Sequence, residues 1–174
     1  MSETFSVMVD IETMSTHSTA AIVSIGACKW DMDGIQDTFY IAVSLADCLR
    51  LGLHKEQDTV EWWKRQSKEA QLAWARDGMP LDYALRSYSD WLGEEGKATD
   101  HYCWGLNFDI PILENAFRVC DLPKPWKYWN LKCARTLHAF LDTGKIEKRE
   151  GTYHNAKDDA VTQANDLIRI FKSL

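Results

Sequence analysis

Two carboxylates, Asp10 and Glu12, end an apolar run that covers residues 5–13. Side chains alternate faces along a β-strand, so both acids share one face, and a rise of about 3.3 Å per residue sets them roughly 6 to 7 Å apart. Apolar residues on both faces predict a strand buried on both sides, with the acids at its carboxyl end, where open α/β sheets bind ligands. A hard divalent cation is the natural partner of such a pair. Taken alone, the segment also fits a strand that ends in a solvated acidic turn.

Two more acids stand where helices are expected to begin. Asp109 falls in the first turn of one predicted helix, and Asp159 lies near the start of the last one. On that last helix Asp158 lies about 200° around the axis from Ala160 and is expected to face solvent, whereas Asp159 borders the side that packs on the sheet. Small alanines allow a close approach, so Asp159 should reach the acids of the first strand. Taken alone, Asp109 also fits a helix-dipole acid, and His154 fits a surface loop.

The elements that must position these groups follow from the spacing of the apolar residues. Residues 5–13, 20–30 and 38–43 alternate like strands, with a hairpin turn at Asp33-Gly34, and predict a three-stranded antiparallel meander. A short strand is predicted at residues 102–104 and a charged loop at 144–151. Helices are predicted at residues 58–76, 81–92, 133–141 and 155–171, and another is predicted to open with residues 107–113.

Composition narrows the class of protein. A chain of 174 residues without a repeat or an interdomain linker is expected to form one domain, residues 1–174. A net charge of −6 argues against a protein that coats nucleic acid by bulk electrostatics, but not against an enzyme whose acids hold metal. No basic segment precedes the first apolar run, and no apolar stretch approaches the ~20 residues that cross a bilayer. We therefore expect a cytoplasmic protein without a membrane partner.

Cysteine and histidine do not form a convincing metal site. The five cysteines are odd in number and scattered, which is typical of reduced core thiols. A zinc site that joins Cys103 to His101, or Cys133 to His138, lacks a matching second pair of ligands. Zinc binding is therefore disfavoured.

Aromatic and basic residues offer candidate contacts with nucleic acid. Trp62 and Trp63 could stack on bases, but large aromatic side chains at helical spacing are more often core residues. Basic residues cluster after residue 117 around a single acid, Asp121, and again before His154. They would steer a phosphate backbone or simply form a solvated surface. They are Arg118, Lys124, Lys127, Lys132 and Arg135, followed by Lys145, Lys148 and Arg149.

Three motifs together resemble those of the DnaQ-like exonucleases. The stretch Asp10-Ile11-Glu12-Thr13 looks like the first motif, and Asn107-Phe108-Asp109 looks like the second. The run from His154 to Ala160 fits the third, H-x-A-x-x-D-A. The motifs occur in the family order, and the histidine five residues before Asp159 indicates the DEDDh branch. The compact size and the aromatic helical insert look most similar to the small phage exonuclease A and mycobacterial-type exoribonuclease group.

The resemblance implies a fold and an activity. The fold would be α/β and RNase H-like, with a mixed five-stranded sheet whose first three strands are antiparallel and with helices on both faces. The activity would be 3′-to-5′ release of nucleoside 5′-monophosphates from RNA or single-stranded DNA ends. Two metal ions, Mg²⁺ or Mn²⁺, are implied as cofactors.

The resemblance also implies a role for each motif residue. Asp10 would bridge both ions, Glu12 and Asp159 would complete the coordination of one, and Asp109 would act on the second through water. His154 would be the general base that deprotonates the attacking water, since a histidine titrates near neutral pH.

Substrate contacts are expected beside these groups. In the two-metal site that the resemblance implies, Glu12 would lie where it could accept a hydrogen bond from a terminal 3′-hydroxyl, and the backbone of Thr13 and Met14 would form the wall of that pocket. Asn107 and Phe108, from the second motif, are the other expected contacts.

Two other functions remain open at this point. One is a catalytically silent nucleic-acid-binding module, although all four acids and the histidine are present. The other is an RNase H-type endonuclease, which has acids on a similar sheet but does not need the third motif. Gly-rich phosphate loops are absent, which disfavours kinases and dehydrogenases. The residues leave open both the choice between ribose and deoxyribose and a homodimer of this Trp-rich chain.

Overall fold

The computed structural model describes residues 5–75, 77–141, 149 and 151–174. Five strands form one mixed sheet in the order β3-β2-β1-β4-β5. The first three strands are antiparallel, and β4 and β5 run parallel to β1, so the predicted sheet is confirmed. The strands are β1 Ser6–Thr13, β2 Ile22–Trp30, β3 Ile35–Ala42, β4 His101–Cys103 and β5 Leu131–Cys133.

Helices cover both faces of the sheet, as predicted. One face carries the first five helices, and the other carries α6 and α7. They are α1 Leu45–Arg50, α2 Gln57–Lys64, α3 Lys68–Ala75, α4 Leu81–Ala98, α5 Asp109–Val119, α6 Ala134–Phe140 and α7 Ala156–Lys172. Among the described residues, none of these helices combines the length and the apolar character needed to cross a bilayer.

Strand β1 is the centre of the sheet and is buried on both faces. Val7, Val9 and Ile11 belong to the core under α4 and α5, whereas Met8 belongs to the core under α7. The pairing of β1 with β2 shifts register between Glu12 and Thr13. Such an irregularity bends a strand and re-aims its side chains, and here it lies at the end that carries the acids.

Several predicted boundaries were wrong for local reasons. The helix predicted at residues 58–76 is two helices, because the N–H groups of Arg65 and Gln66 bond three residues back and end α2, while Ser67 accepts from Ala70 N–H and caps α3. Its predicted last residue, 76, lies outside the described residues. The helix predicted to open at residue 107 begins at Asp109 and ends at Val119.

Other elements had no prediction from the residue pattern. Helix α1 has six residues and is capped by Ser44, whose side chain accepts from Asp47 N–H. Strand β5 has three residues, too few for an alternation to be visible. After the predicted end at residue 92, α4 is interrupted by a kink at Gly93, whose φ of 66° and ψ of −178° are not helical, and a second helical piece then runs to Ala98.

Helix α7 contacts the sheet backbone directly. Ala156, Ala160 and Ala164 are completely buried, and these small side chains let the first half of the helix approach the strands closely. A Cβ added to Gly26 would lie 2.1 Å from the backbone carbon of Ala156, and Gly26 is the cross-strand neighbour of Asp10. The glycine therefore fixes how closely the start of α7 approaches the acids of β1.

Gly26→Ala should destabilise the protein and move α7 away from β1. The new methyl group meets backbone that cannot rotate away, so we expect a loss of about 3 kcal/mol, the upper part of the usual range for overpacking. Thermal and urea unfolding would measure it. Gly96→Ala is the matched control, because a Cβ there meets only the Leu92 side chain, at 3.1 Å, and should cost much less. Equal losses in the two variants would contradict the role of Gly26.

Candidate active site

Four acids from three elements meet at the carboxyl end of β1. Asp10 and Glu12 come from β1, Asp109 from the first turn of α5 and Asp159 from the first turn of α7. The last three expose only 9%, 4% and 9% of their surface, in that order. The structure therefore brings together all four acids that the sequence singled out.

Burial and mutual repulsion raise the pKa of these carboxyls. Desolvation is the largest cause for Asp10, followed by the charges of the other three acids, and its pKa lies well above the usual value. Asp10 keeps part of its surface open to solvent, but its neighbours are close enough for desolvation to dominate. Desolvation, then the charges of Asp159 and Asp109, raises the pKa of Glu12 to about 8. If these carboxyls are ionised together, a nearby cation is needed to balance their negative charge.

Asp109 is held by the backbone around it. Burial raises its pKa to about 7, while hydrogen bonds with the backbone of Ile11, of Asp109 itself and of Gly105 act in the opposite direction. The Gly105 carbonyl also accepts from the N–H groups of Phe108 and Asp109 and so shapes the turn that begins α5. The second motif is therefore joined to β1 through main-chain contacts.

The start of α7 is built by the side chains of Asn155, Asp158 and Asp159. Asn155 caps the helix by accepting from the N–H groups of Lys157 and Asp158, both at 3.2 Å. Asp158 accepts from Thr152 N–H at 2.8 Å, and Asp159 accepts from His154 N–H at 3.0 Å. These bonds tie the preceding turn to the helix.

The prediction that Asp158 simply faces solvent was wrong. Its side chain is 22% exposed and binds the turn before the helix. Gly151 lies directly against it, since an added Cβ would stand 2.3 Å from Asp158 Oδ2. The angular positions on the helix correctly placed Asp159, and not Asp158, toward the sheet. They could not reveal that the preceding loop folds back onto the start of the helix.

His154 is held in an unusual conformation beside the acids. Its φ of 61° is left-handed, which is uncommon outside glycine and tends to mark functional positions. Its ring contacts Tyr153 at 3.8 Å, Trp62 at 4.7 Å and Trp63 at 6.2 Å between ring centroids. Burial, and then the charge of Arg149, lowers the pKa of His154. The imidazole is therefore favoured in its neutral form.

The tandem tryptophans have different environments. Trp63 is 1% exposed and donates its indole N–H to the Thr13 carbonyl at 2.9 Å, as a core residue of the predicted kind. Trp62 is only half-buried and turns its ring toward His154. The pair therefore links α2 both to the end of β1 and to the histidine.

The predicted substrate residues have unequal access. Met14 is 1% exposed, and the Thr13 hydroxyl donates to the Ser15 carbonyl, so these two side chains point inward and leave only backbone for a pocket wall. Asn107 is exposed and accepts from Arg135 at 3.4 Å, while Phe108 is half-buried. Their contact with substrate remains a prediction.

Two of the predicted basic residues reach the site. Arg149 donates to Asp159 Oδ1 at 2.8 Å, and the charge of Arg135 lowers the pKa of Asp109. Three others have neighbours of their own: Arg118 bonds to Asn115, Lys124 pairs with Glu114 and Lys132 pairs with Asp100. The ring of Trp129 lies beside Lys127. Lys145 and Lys148 lie outside the described residues.

Gln163 is a site residue that the sequence reasoning missed. Its Nε2 donates to Asp10 Oδ1 at 2.9 Å, and it is 9% exposed. The signal was available, because residues four apart lie on the same side of a helix and Gln163 follows Asp159 by four positions.

The donor set fits a hard divalent cation. Carboxylate oxygens are the ligands that Mg²⁺ and Mn²⁺ prefer. In the described part of the chain, the group of His, Cys, Asp and Glu side chains with metal-ligand spacing is Glu12, His154 and Asp159, whose ligand atoms lie within 4.8 Å of one another. The cysteine–histidine pairs considered for zinc do not belong to it.

Comparisons with known proteins agree with this geometry. A family model described as a 3′-5′ exoribonuclease Rv2179c-like domain matches residues 5–171. An exodeoxyribonuclease of Enterobacteria phage T4 is 25% identical over 159 residues, which cover 76% of this chain and 70% of that protein.

Solved structures share the fold at low sequence identity. The nuclease domain of 3′hExo, a DEDDh family member bound to rAMP, has a TM-score of 0.68 at 14% identity, over 97% of this chain and 92% of that one. E. coli exonuclease I in complex with a dT13 oligonucleotide has a TM-score of 0.66 at 13% identity. That match covers 98% of this chain but only 43% of exonuclease I. These likenesses confirm the predicted RNase H-like fold.

The metal-free protein should lose stability as the pH rises from about 5 to 8. The folded-state pKa of Glu12 is raised from 4.5 to about 8 and that of Asp109 from 3.8 to about 7. A raised folded-state pKa gives a stabilising contribution that is complete below the unfolded-state pKa and is lost as the pH rises through the folded-state value. Melting temperatures in chelator would measure the decline.

Glu12→Gln should flatten that decline, because a neutral amide replaces a carboxyl whose pKa the fold raises. Asp90→Asn removes an exposed acid on α4 and should leave the slope unchanged. A melting temperature that is constant or rises over this pH range in chelator would show that the acids are not mutually repulsive in the folded protein.

Proposed function

The chain belongs to the 3′-5′ exoribonuclease Rv2179c-like domain family, and from this premise we propose that it removes nucleoside 5′-monophosphates from 3′ ends of single-stranded RNA or DNA with the help of two divalent metal ions. The observation that carries the proposal is the meeting of Asp10, Glu12, Asp109 and Asp159 with His154 at one strand end. The fold without this cluster would not distinguish an enzyme from a binding module.

The four acids would hold the metal. Asp10 is central, because each of the other three acids is close enough to raise its pKa. Gln163 holds one Asp10 oxygen from the α7 side, and the backbone near β1 holds Asp109 from the α5 side. When bound, two divalent ions would supply the positive charge that stabilises the attacking and leaving oxygens of an in-line displacement.

His154 is proposed as the general base. Its lowered pKa keeps the imidazole neutral and able to accept a proton at neutral pH. The rings of Trp62 and Tyr153 restrict its rotation, and its N–H bond to Asp159 fixes its distance from the acids. The base is thus oriented by contacts that do not depend on substrate.

Selection of the 3′ end is proposed to come from a wall at the end of β1. Glu12 would accept from the terminal 3′-hydroxyl, and the backbone at Thr13 and Met14 would stand behind it. The indole of Trp63 bonds to the Thr13 carbonyl, so α2 braces this wall from the core side. Asn107 and Phe108 would contact the nucleotide from the α5 side. A continuing strand would then have no path past the pocket.

The sugar preference is proposed to be permissive. The family description names exoribonuclease, whereas the T4 relative is an exodeoxyribonuclease. We assign no side chain of the described site to a 2′-hydroxyl, the group by which a protein distinguishes RNA from DNA. We therefore expect both polymers to be degraded, with relative rates to be measured.

The direct test compares matched linear and circular single strands in Mg²⁺ and Mn²⁺. Linear 5′-labelled RNA and DNA should shorten one nucleotide at a time from the 3′ end, circles should resist, and chelator should abolish the reaction. A 3′-phosphate should block cleavage because it adds negative charge beside Glu12, whereas the 5′ end should matter little. Gel resolution at nucleotide steps would measure these outcomes.

Matched variants separate catalysis from folding in this test. Asp159→Asn should lower the rate by about 10² or more, in the range for loss of one essential group. Its neighbour Asp158→Asn should keep most of the activity, since an amide oxygen can still accept from Thr152 N–H. Rapid cutting of circles would favour the endonuclease, and tight binding without cleavage would favour the silent module.

His154→Ala should reduce turnover by about 10² to 10⁴, the usual contribution of a general base, while metal binding persists. At saturating metal the wild-type rate should rise with pH through a value below the ordinary histidine pKa, because burial and Arg149 lower it. His17→Ala, at an exposed histidine away from the acids, is the control. Full activity and an unchanged pH profile in His154→Ala would exclude this histidine as the base.

A further inference from the structure

Arg149 binds the acid cluster through a single carboxylate. Its Nη1 donates to Asp159 Oδ1 at 2.8 Å, while the other oxygen of Asp159 accepts from His154 N–H. Of the two side chains in this ion pair, Asp159 is 12% exposed and Arg149 is 47% exposed. A cation fixed to one buried acid from the solvent side can leave without disturbing the core.

The charge of Arg149 acts on the groups expected to hold metal and to move the proton. It lowers the pKa of Asp159 against the effect of burial, and it lowers the pKa of His154. One guanidinium therefore supplies part of the positive charge that the four acids lack.

The guanidinium has a second support that does not involve Asp159. Its central carbon lies 3.9 Å from the centroid of the Tyr153 ring, and that ring is 53% exposed. Planar guanidinium groups stack on aromatic faces and also bind phosphate with two parallel hydrogen bonds. The Arg149 guanidinium can therefore remain stacked on Tyr153 while its N–H groups release the Asp159 carboxylate and bind a phosphate.

The space beside this ion pair suits a hydrated cation. A cavity of about 100 Å³ is lined by Arg149, Asp159, Gln163, Trp104 and Thr162. It has room for about three water molecules at roughly 30 Å³ each. Among the described residues, none forms a hydrogen bond with the buried Oε1 of Gln163. Oxygen atoms of this kind could accept from the water shell of an incoming ion.

We propose that Arg149 is a built-in counter-cation, which neutralises Asp159 in the metal-free protein and moves to a phosphate of the substrate when a divalent ion takes that carboxylate. The second half of this proposal rests on the proposed nuclease function, whereas the first half does not. Arg149 would thus weaken metal binding in the free protein and strengthen phosphate binding in the loaded one.

The first half is tested by Mn²⁺ binding to metal-free protein, measured by the electron spin resonance of free Mn²⁺. Arg149→Met keeps a long side chain but removes the charge, and should bind Mn²⁺ about threefold to tenfold more tightly, as expected for loss of one partly exposed charge. Lys157→Met is the matched control, since Lys157 pairs with Asp158, at 3.7 Å, whereas Arg149 pairs with Asp159. Arg149→Lys, which keeps the charge, should behave like wild type.

The second half is tested with AMP in Mn²⁺-loaded protein by equilibrium dialysis. Arg149→Met should bind AMP about tenfold more weakly, in the range for loss of a charge-assisted contact. Adenosine, which lacks the phosphate, should bind wild type and variant alike. A static structural ion pair would give a different result, because its loss should lower the melting temperature without tightening Mn²⁺ binding.

Opposite effects on Mn²⁺ and AMP would support the proposal. Mn²⁺ affinity that is unchanged, weaker, or raised equally by Lys157→Met would overturn its first half. Tighter Mn²⁺ binding with unchanged AMP binding would overturn the second half. If wild type degraded no nucleic acid, the nuclease function would fail, but the Mn²⁺ titration would still decide whether Arg149 occupies the cluster.

Discussion

The structure depends on holding four carboxylates together where water is largely excluded. Neighbouring carboxylates repel each other when they are charged, and desolvation adds to the cost of ionising them. The folded protein therefore favours the protonated forms of these acids. A fold can tolerate such a cluster only if rigid elements hold each acid. Here the central strand β1 contributes two of the four acids, and one helix on each face of the sheet contributes one.

The supports of the cluster differ in kind. The main chain holds Asp109, and a buried amide holds Asp10. Asp159 bonds to the backbone of His154 through one oxygen and to the half-exposed Arg149 side chain through the other. The rigid supports fix geometry, whereas the arginine adjusts charge. The same division appears around His154, where the rings of Trp62 and Tyr153 restrict its rotation and the charge of Arg149 lowers its pKa.

The sequence predicted the positions of residues that follow from the periodicity of strands and helices. It did not predict contacts made where a loop folds back onto a helix. Alternation along β1 and the helical phase of α7 were enough to bring Asp10, Glu12 and Asp159 to one edge, and the resemblance supplied the fold and the fifth strand. Three-residue β5 and six-residue α1 were too short to give a period. The ion pair of Arg149 and the turn on Asp158 arise from loop geometry, which no residue spacing encodes.

The turn before α7 has a consequence for how this chain can vary. Three of the hydrogen bonds that shape this turn are made within residues 152–159. Each bond spans a fixed number of peptide units, so one residue inserted or deleted inside that span would break it. We therefore expect the length of this segment to matter as much as its side chains, because a change in length would shift His154 and Asp159 relative to each other.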